Sequence, residues 1–127
     1  MLSLAPPTRF FLCARATDMR KGFDGLSGIV RNELREDPMS GDVFVFVNRQ
    51  RTHLKMLFFD GDGFVLFYKR LELGTFAVPA TTSDVVAMRR ADLMLMLEGI
   101  DRASTHARRR YSPPNKLPAK SSTPVDK

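Results

Sequence analysis

Aromatic and basic side chains alternate along two neighbouring stretches of this 127-residue chain: Phe44, Phe46, His53, Lys55, Tyr68 and Arg70, with Arg49 and Arg51 on the loop between. Rings of this kind can stack on nucleobases while guanidinium and ammonium groups neutralise phosphates, so the mixture suits nucleic-acid binding. The competing explanation is structural: the Phe residues form core, the Lys and Arg stems lie over them, and Arg51 faces Glu72 across strands. A second basic position is Arg20-Lys21, where two cations at the expected start of a helix oppose its macrodipole. Asp18, another carboxylate or a bound phosphate could compensate them.

Carboxylates raise a different chemistry. Asp18, Asp60, Asp62 and Glu72 could hold Mg²⁺ around a phosphate, as in a metal-dependent nuclease. Asp60-Gly61-Asp62-Gly63 matches the opening of a calcium loop, but Phe64 occupies the third ligand position and Leu71 the place of the closing Glu. Gly/Asp turns also recur for backbone reasons alone. His53 and His106 lack Cys or His companions at ligand spacing, no Gly-x-Ser-x-Gly elbow is present, and Gly22, Gly25 and Gly28 have neither dinucleotide nor P-loop spacing. Cys13, the single cysteine, lies in an apolar run and reads as a small core residue. No catalytic residue, metal or cofactor is therefore expected.

These side chains need a scaffold. Leu54–Phe59 and Phe64–Arg70 are apolar runs joined across Gly61-Asp62, a pair suited to a tight hairpin turn. That register sets Phe59 opposite Phe64, Leu57 opposite Leu66, Lys55 opposite Tyr68 and His53 opposite Arg70, and puts Lys69 on the other face. Val43–Val47 is apolar on both faces and reads as an interior strand. If Val47 pairs with Thr52, Phe46 faces His53 and Phe44 faces Lys55. Arg9–Ala14 reads as a first strand. Phe23, Leu26, Ile29, Val30 and Leu34 follow helical spacing, with Thr17 or Asp18 as the N-cap and the more apolar sheet face, Leu54, Met56, Phe58, Val65 and Phe67, as the helix seat. Gly74–Pro79 is expected to form a short strand and Asp84–Met88 its return partner, the alternative for the latter being the start of a longer helix, before a short apolar helix over Ala91–Glu98 stopped by Gly99. The expected class is α+β: one domain, mainly an antiparallel β-sheet meander with one major amphipathic helix and a short C-terminal helix.

Length and charge set the outer bounds. One core is the usual solution at this size, and no apolar run is long enough to span a bilayer. The N-terminal residues lack a basic n-region, so a cytoplasmic protein is expected. Residues 1–102 hold 14 basic and 13 acidic side chains, whereas residues 103–127 hold six and one. The net charge of +6 thus comes from a Pro-rich tail beginning with Arg108-Arg109-Arg110. Such a composition is expected to stay disordered, because it buries too little apolar area to offset chain entropy.

One ordered series of motifs goes further: Thr17-Asp18-Met19-Arg20-Lys21-Gly22-Phe23-Asp24-Gly25-Leu26, Ser40-Gly41, Leu54-Lys55, Asp60-Gly61-Asp62-Gly63, Tyr68-Lys69-Arg70-Leu71-Glu72, Gly74, Phe76, Pro79 and Leu97-Glu98-Gly99-Ile100-Asp101. Together these closely resemble the TnpB-type accessory protein, the second open reading frame, of the insertion sequence 66 family of bacterial transposons, over about residues 9 to 102. Phe58, Phe59 and Val78 stand where that family often has tryptophan. The resemblance implies a non-catalytic accessory factor for DNA transposition, encoded beside a transposase. It does not extend to the far longer RNA-guided nucleases that share the TnpB label. The expected partners are the transposase of the same element and DNA, with no membrane. The expected DNA contacts are Arg20, Lys21, Arg49, Arg51, Lys55, Tyr68, Lys69 and Arg70, with Arg108, Arg109 and Arg110 adding nonspecific phosphate contacts. The alternatives are a module that bridges transposase subunits without touching DNA, and a Mg²⁺-dependent nuclease.

Overall fold

A computed structural model describes residues 8–99 and 109–114. Five strands and two helices follow in the order β1 (Phe10–Cys13), α1 (Phe23–Asn32), β2 (Val43–Val47), β3 (His53–Phe59), β4 (Phe64–Arg70), β5 (Val85–Met88) and α2 (Arg90–Glu98). The strands form one sheet in the order β4-β3-β2-β1-β5. Residues β2 to β4 make the expected antiparallel meander, while β1 joins β2 in parallel through the α1 crossover and β5 returns antiparallel beside β1. The class is α+β, with strands outweighing helices.

The β3–β4 register is the one the Gly61-Asp62 turn requires, with His53 opposite Arg70, Lys55 opposite Tyr68 and Phe59 opposite Phe64. Gly61 takes φ +73°, and Asp60 N–H donates to Gly63 O at 2.7 Å. The β2–β3 register differs from expectation by two residues: Phe46 faces Lys55 and Phe44 faces Leu57. Asn48 causes the shift. Its backbone N–H pairs with His53 O at 3.1 Å, and its side-chain Oδ1 accepts the N–H groups of Thr52 and His53 at 2.9 and 3.0 Å. The loop therefore runs from 49 to 52, with Arg51 in the left-handed region at φ 62°.

Each face of the sheet carries its own core. On one, α1 lays Leu26, Ile29 and Val30 over Phe11, Phe44, Phe46 and Leu57. On the other, α2 and the segment after β4 bring Phe76, Leu93 and Met96 onto Phe10, Leu12, Val45, Leu54 and Phe58. This corrects two expectations. The long helix covers the face bearing Phe44 and Phe46, so those rings are fully buried core rather than a stacking surface. Residues 74–79 also do not form a strand: Phe76 N–H makes one bond, to Arg51 O at 2.7 Å, and its ring plugs the second core. Val85–Met88, the other half of that expected pair, is the edge partner of β1 instead.

The start of α1 differs as well. Gly22 is the N-cap, with no side-chain cap. Thr17 N–H donates to Val47 O, and Asp18 accepts the Arg20 N–H, so both precede the helix and shape a turn. α2 ends as expected, with Gly99 at φ 86° and its N–H on Leu95 O. At the opposite end of β1 and β2, Arg9 clamps Asp42 through its backbone N–H and guanidinium, and Ser40 adds its hydroxyl. Burial of Asp42 works against its ionised form, but these donors outweigh it and hold the carboxyl below the usual aspartate range.

Candidate functional site

The end of the sheet formed by Cys13, Val47, His53, Arg70 and Val85 gathers most of the expected basic residues. Parallel β1 and β2 finish there, and the β2–β3 loop projects between the β1–α1 connection and the segment after β4. Asn48 holds this loop rigidly: beyond its two backbone contacts, Nδ2 donates to Gln50 Oε1 and Thr52 Oγ1 and lies 3.2 Å from His53 Nδ1. Arg49 and Arg51 are exposed on it. They line a depression of about 200 Å³ together with Arg15, Ala16, Val47 and Val78. Arg49 also borders a second depression of about 390 Å³ against Thr17, Asp18 and Met19.

The cations at this end divide by what they touch. Arg20 forks onto Asp18 with its Nε and Nη2, the latter at 2.6 Å. That guanidinium holds the Asp18 carboxyl far below the usual range and is itself raised by the pair. Arg70 pairs with Glu72 at 2.9 Å, and Arg15 pairs with Glu33 and with Asp84. Among the described residues, the side chains of Lys21, Arg49 and Arg51 make no ion pair or hydrogen bond. The acids Asp18, Glu33, Glu72 and Asp84 are thus engaged by three arginines, Arg15 serving two of them, and Lys21, Arg49 and Arg51 are left without an acidic contact on the loop and beside α1.

Other expected contacts are engaged inside the fold. Lys55 is only 7% exposed; its Nζ donates to Met19 O at 2.8 Å and Lys21 O at 2.9 Å and sits 4.5 Å from the centroid of the Tyr68 ring. It anchors the turn that presents Arg20 and Lys21, and it is not available to a phosphate. Tyr68 is exposed, with His53 tilted against it at 5.9 Å. Lys69, on the opposite face, donates to Leu97 O, where its charge complements the carbonyl end of α2. Arg110 is no loose tail cation: it donates to Thr75 O and Met96 O and lies 5.5 Å from the Phe76 ring centroid. A Cβ at Gly74, which has φ +84°, would collide with the Arg109 carbonyl. Arg109 itself is exposed, and Arg108 lies outside the described residues. Among the described residues, no three His, Cys, Asp or Glu side chains come together in a group able to hold a metal, and no helix is long and apolar enough to cross a membrane.

Comparison with known proteins places the chain in a family. The profile of a family described as IS66 Orf2 like protein matches residues 8–107, which takes in every strand and helix among the described residues. The chain belongs to that family. Two relatives come from Sinorhizobium fredii (strain NBRC 101917 / NGR234). Uncharacterized protein y4hO is 38% identical over 101 residues, 80% of this chain and 88% of its own; uncharacterized protein y4jC is 32% identical over 93 residues, 73% and 80%. No solved structure matches.

As an IS66 Orf2-like protein the chain is a transposition-associated accessory protein. Within it, two residues shape the basic end without being flagged by the sequence. Asn48 braces the whole loop by capping the backbone of its own turn with its side-chain oxygen, as Asn often does. Arg15 reaches the same end only because β1 lies beside β2, a pairing no local pattern reveals.

Proposed function

We propose that this IS66 Orf2-like protein is a non-catalytic factor that binds the DNA of its element through the β2–β3 loop and acts beside the element's transposase. Arg49 and Arg51 serve as the principal phosphate contacts. Lys21 adds a third charge from the α1 side, and Arg20 and Arg70 exchange their carboxylate partners for phosphate at the margin. The observation that carries this reading is the contrast within the basic end: Arg49 and Arg51 are exposed on a loop braced by Asn48 and have no acidic partner, while their neighbours are neutralised. Rigid placement lowers the ordering cost of binding, and unpaired guanidinium groups fit phosphate oxygens bidentately.

The test is a gel-shift titration on duplex DNA from the element end. Wild type and Arg31→Ala, which removes an exposed cation on α1, are expected to bind alike, and the Arg49→Ala/Arg51→Ala double variant to bind far more weakly. Equal binding by all three would refute the assignment to this loop, and no binding by wild type would refute DNA recognition.

A further inference from the structure

The two outer edges of the sheet differ sharply. β5 has four residues, whereas β4 has seven and runs beside β3 alone. Asp60 N–H bonding to Gly63 O and Leu71 N–H bonding to Thr52 O fix the phase of the β3–β4 ladder: Gly63, Val65, Phe67, Lys69 and Leu71 direct their backbone groups inward, toward β3. The N–H and C=O groups of Phe64, Leu66, Tyr68 and Arg70 therefore point away from the sheet, and among the described residues none of them has a hydrogen-bond partner. Proteins usually guard such an edge with inward charges, proline, a bulge or a short strand. Phe64–Tyr68 has none of these. Its side chains include Phe67 at 44% and Tyr68 at 53% exposure, and the one adjacent lysine, Lys69, is turned onto the α2 carbonyl end.

We infer that β4 pairs antiparallel with β4 of a second copy of this chain, about a two-fold axis through Phe67, to make a continuous ten-stranded sheet. This register uses every outward backbone group: Phe64 pairs with Arg70 of the second copy, and Leu66 with Tyr68. Phe67 meets its own counterpart at a non-hydrogen-bonded position, where side chains approach most closely. Charge selects the same occupant. Antiparallel pairing sets the end of each strand, which keeps one net positive charge from Lys69 and Arg70 against Glu72, beside Asp60 and Asp62 of the other copy, whereas parallel pairing would set the two Lys69-Arg70 ends side by side. Arg49 and Arg51 lie on the β2–β3 loop, outside β4, and Arg70 alone belongs to both surfaces.

Sedimentation of the full chain is expected to give a dimer, and Phe67→Lys to weaken it by roughly tenfold or more, because the axis sets the two new charges side by side. Phe67→Cys should form an interchain disulfide under mild oxidation far faster than Met94→Cys, which is comparably exposed at 45% but lies on α2. A wild-type monomer throughout the accessible concentration range, or a dimer in which Phe67→Cys crosslinks no faster than Met94→Cys, would overturn the proposal. The cysteine pair reads the geometry even if Phe67→Lys fails to fold.

Discussion

Lys55 and Arg51 lie four residues apart on one hairpin, and their fates are opposite. Lys55 is drawn under the turn before α1, where two carbonyls and a ring surround its ammonium. Arg51 stands in solvent with its backbone fixed and its guanidinium unpartnered. The same division separates Lys69 and Arg110, which close off carbonyls around α2, from Arg49 and Lys21, which close off nothing. In a folded part that is nearly neutral, the place of a cation decides its role more than its presence does.

That contrast can be broken from the inside first. Lys55→Met should cost about 2–4 kcal/mol of stability, because two buried charge-assisted hydrogen bonds vanish and the Met19 and Lys21 carbonyls lose their donor; chemical denaturation reads this directly. The outside is tested next. Arg49→Ala/Arg51→Ala should leave stability within about 0.5 kcal/mol of wild type while lowering DNA affinity by roughly ten- to a hundred-fold near 0.1 M salt. Asn48→Ala links the two regions. Loss of its backbone contacts should cost about 1–2 kcal/mol and weaken DNA binding without removing a charge, which thermal melts and titration together resolve.

The smallest effect concerns the far end of the sheet, as a contrast to the basic end. Asp42 ionises more readily in the fold than in the unfolded chain, so its contribution is complete above the ordinary aspartate range, near pH 4, and fades as pH falls through its depressed value. Asp42→Asn should lower stability at neutral pH and flatten the acid limb of the stability profile. An acid limb as steep as that of wild type would mean that Asp42 does not carry it.

Much of this was legible before any coordinates. The Gly61-Asp62 turn fixes the β3–β4 register because glycine accepts positive φ there, and Gly99 ends α2 for the same reason. The helical spacing of Phe23 to Leu34 locates α1. Its seat is not legible, because both faces of the sheet are apolar: Phe44 and Phe46 share a strand with Val43, Val45 and Val47, so periodicity cannot say which face takes which helix. The engagement of Lys55, Lys69 and Arg110 was illegible for a related reason. Each bonds a backbone carbonyl contributed by a distant segment, and carbonyls leave no mark in a sequence. The exposed pair Arg49 and Arg51 was legible because a polar loop between two strands must reach solvent.

Whether Arg49 and Arg51 hold the phosphates is read most directly from the slope of log K against log salt for DNA binding. The double variant is expected to show a slope shallower than wild type by about 1.8, or about 0.9 for each lost contact. A parallel line, with affinity changed or not, would mean that Arg49 and Arg51 do not contact phosphate.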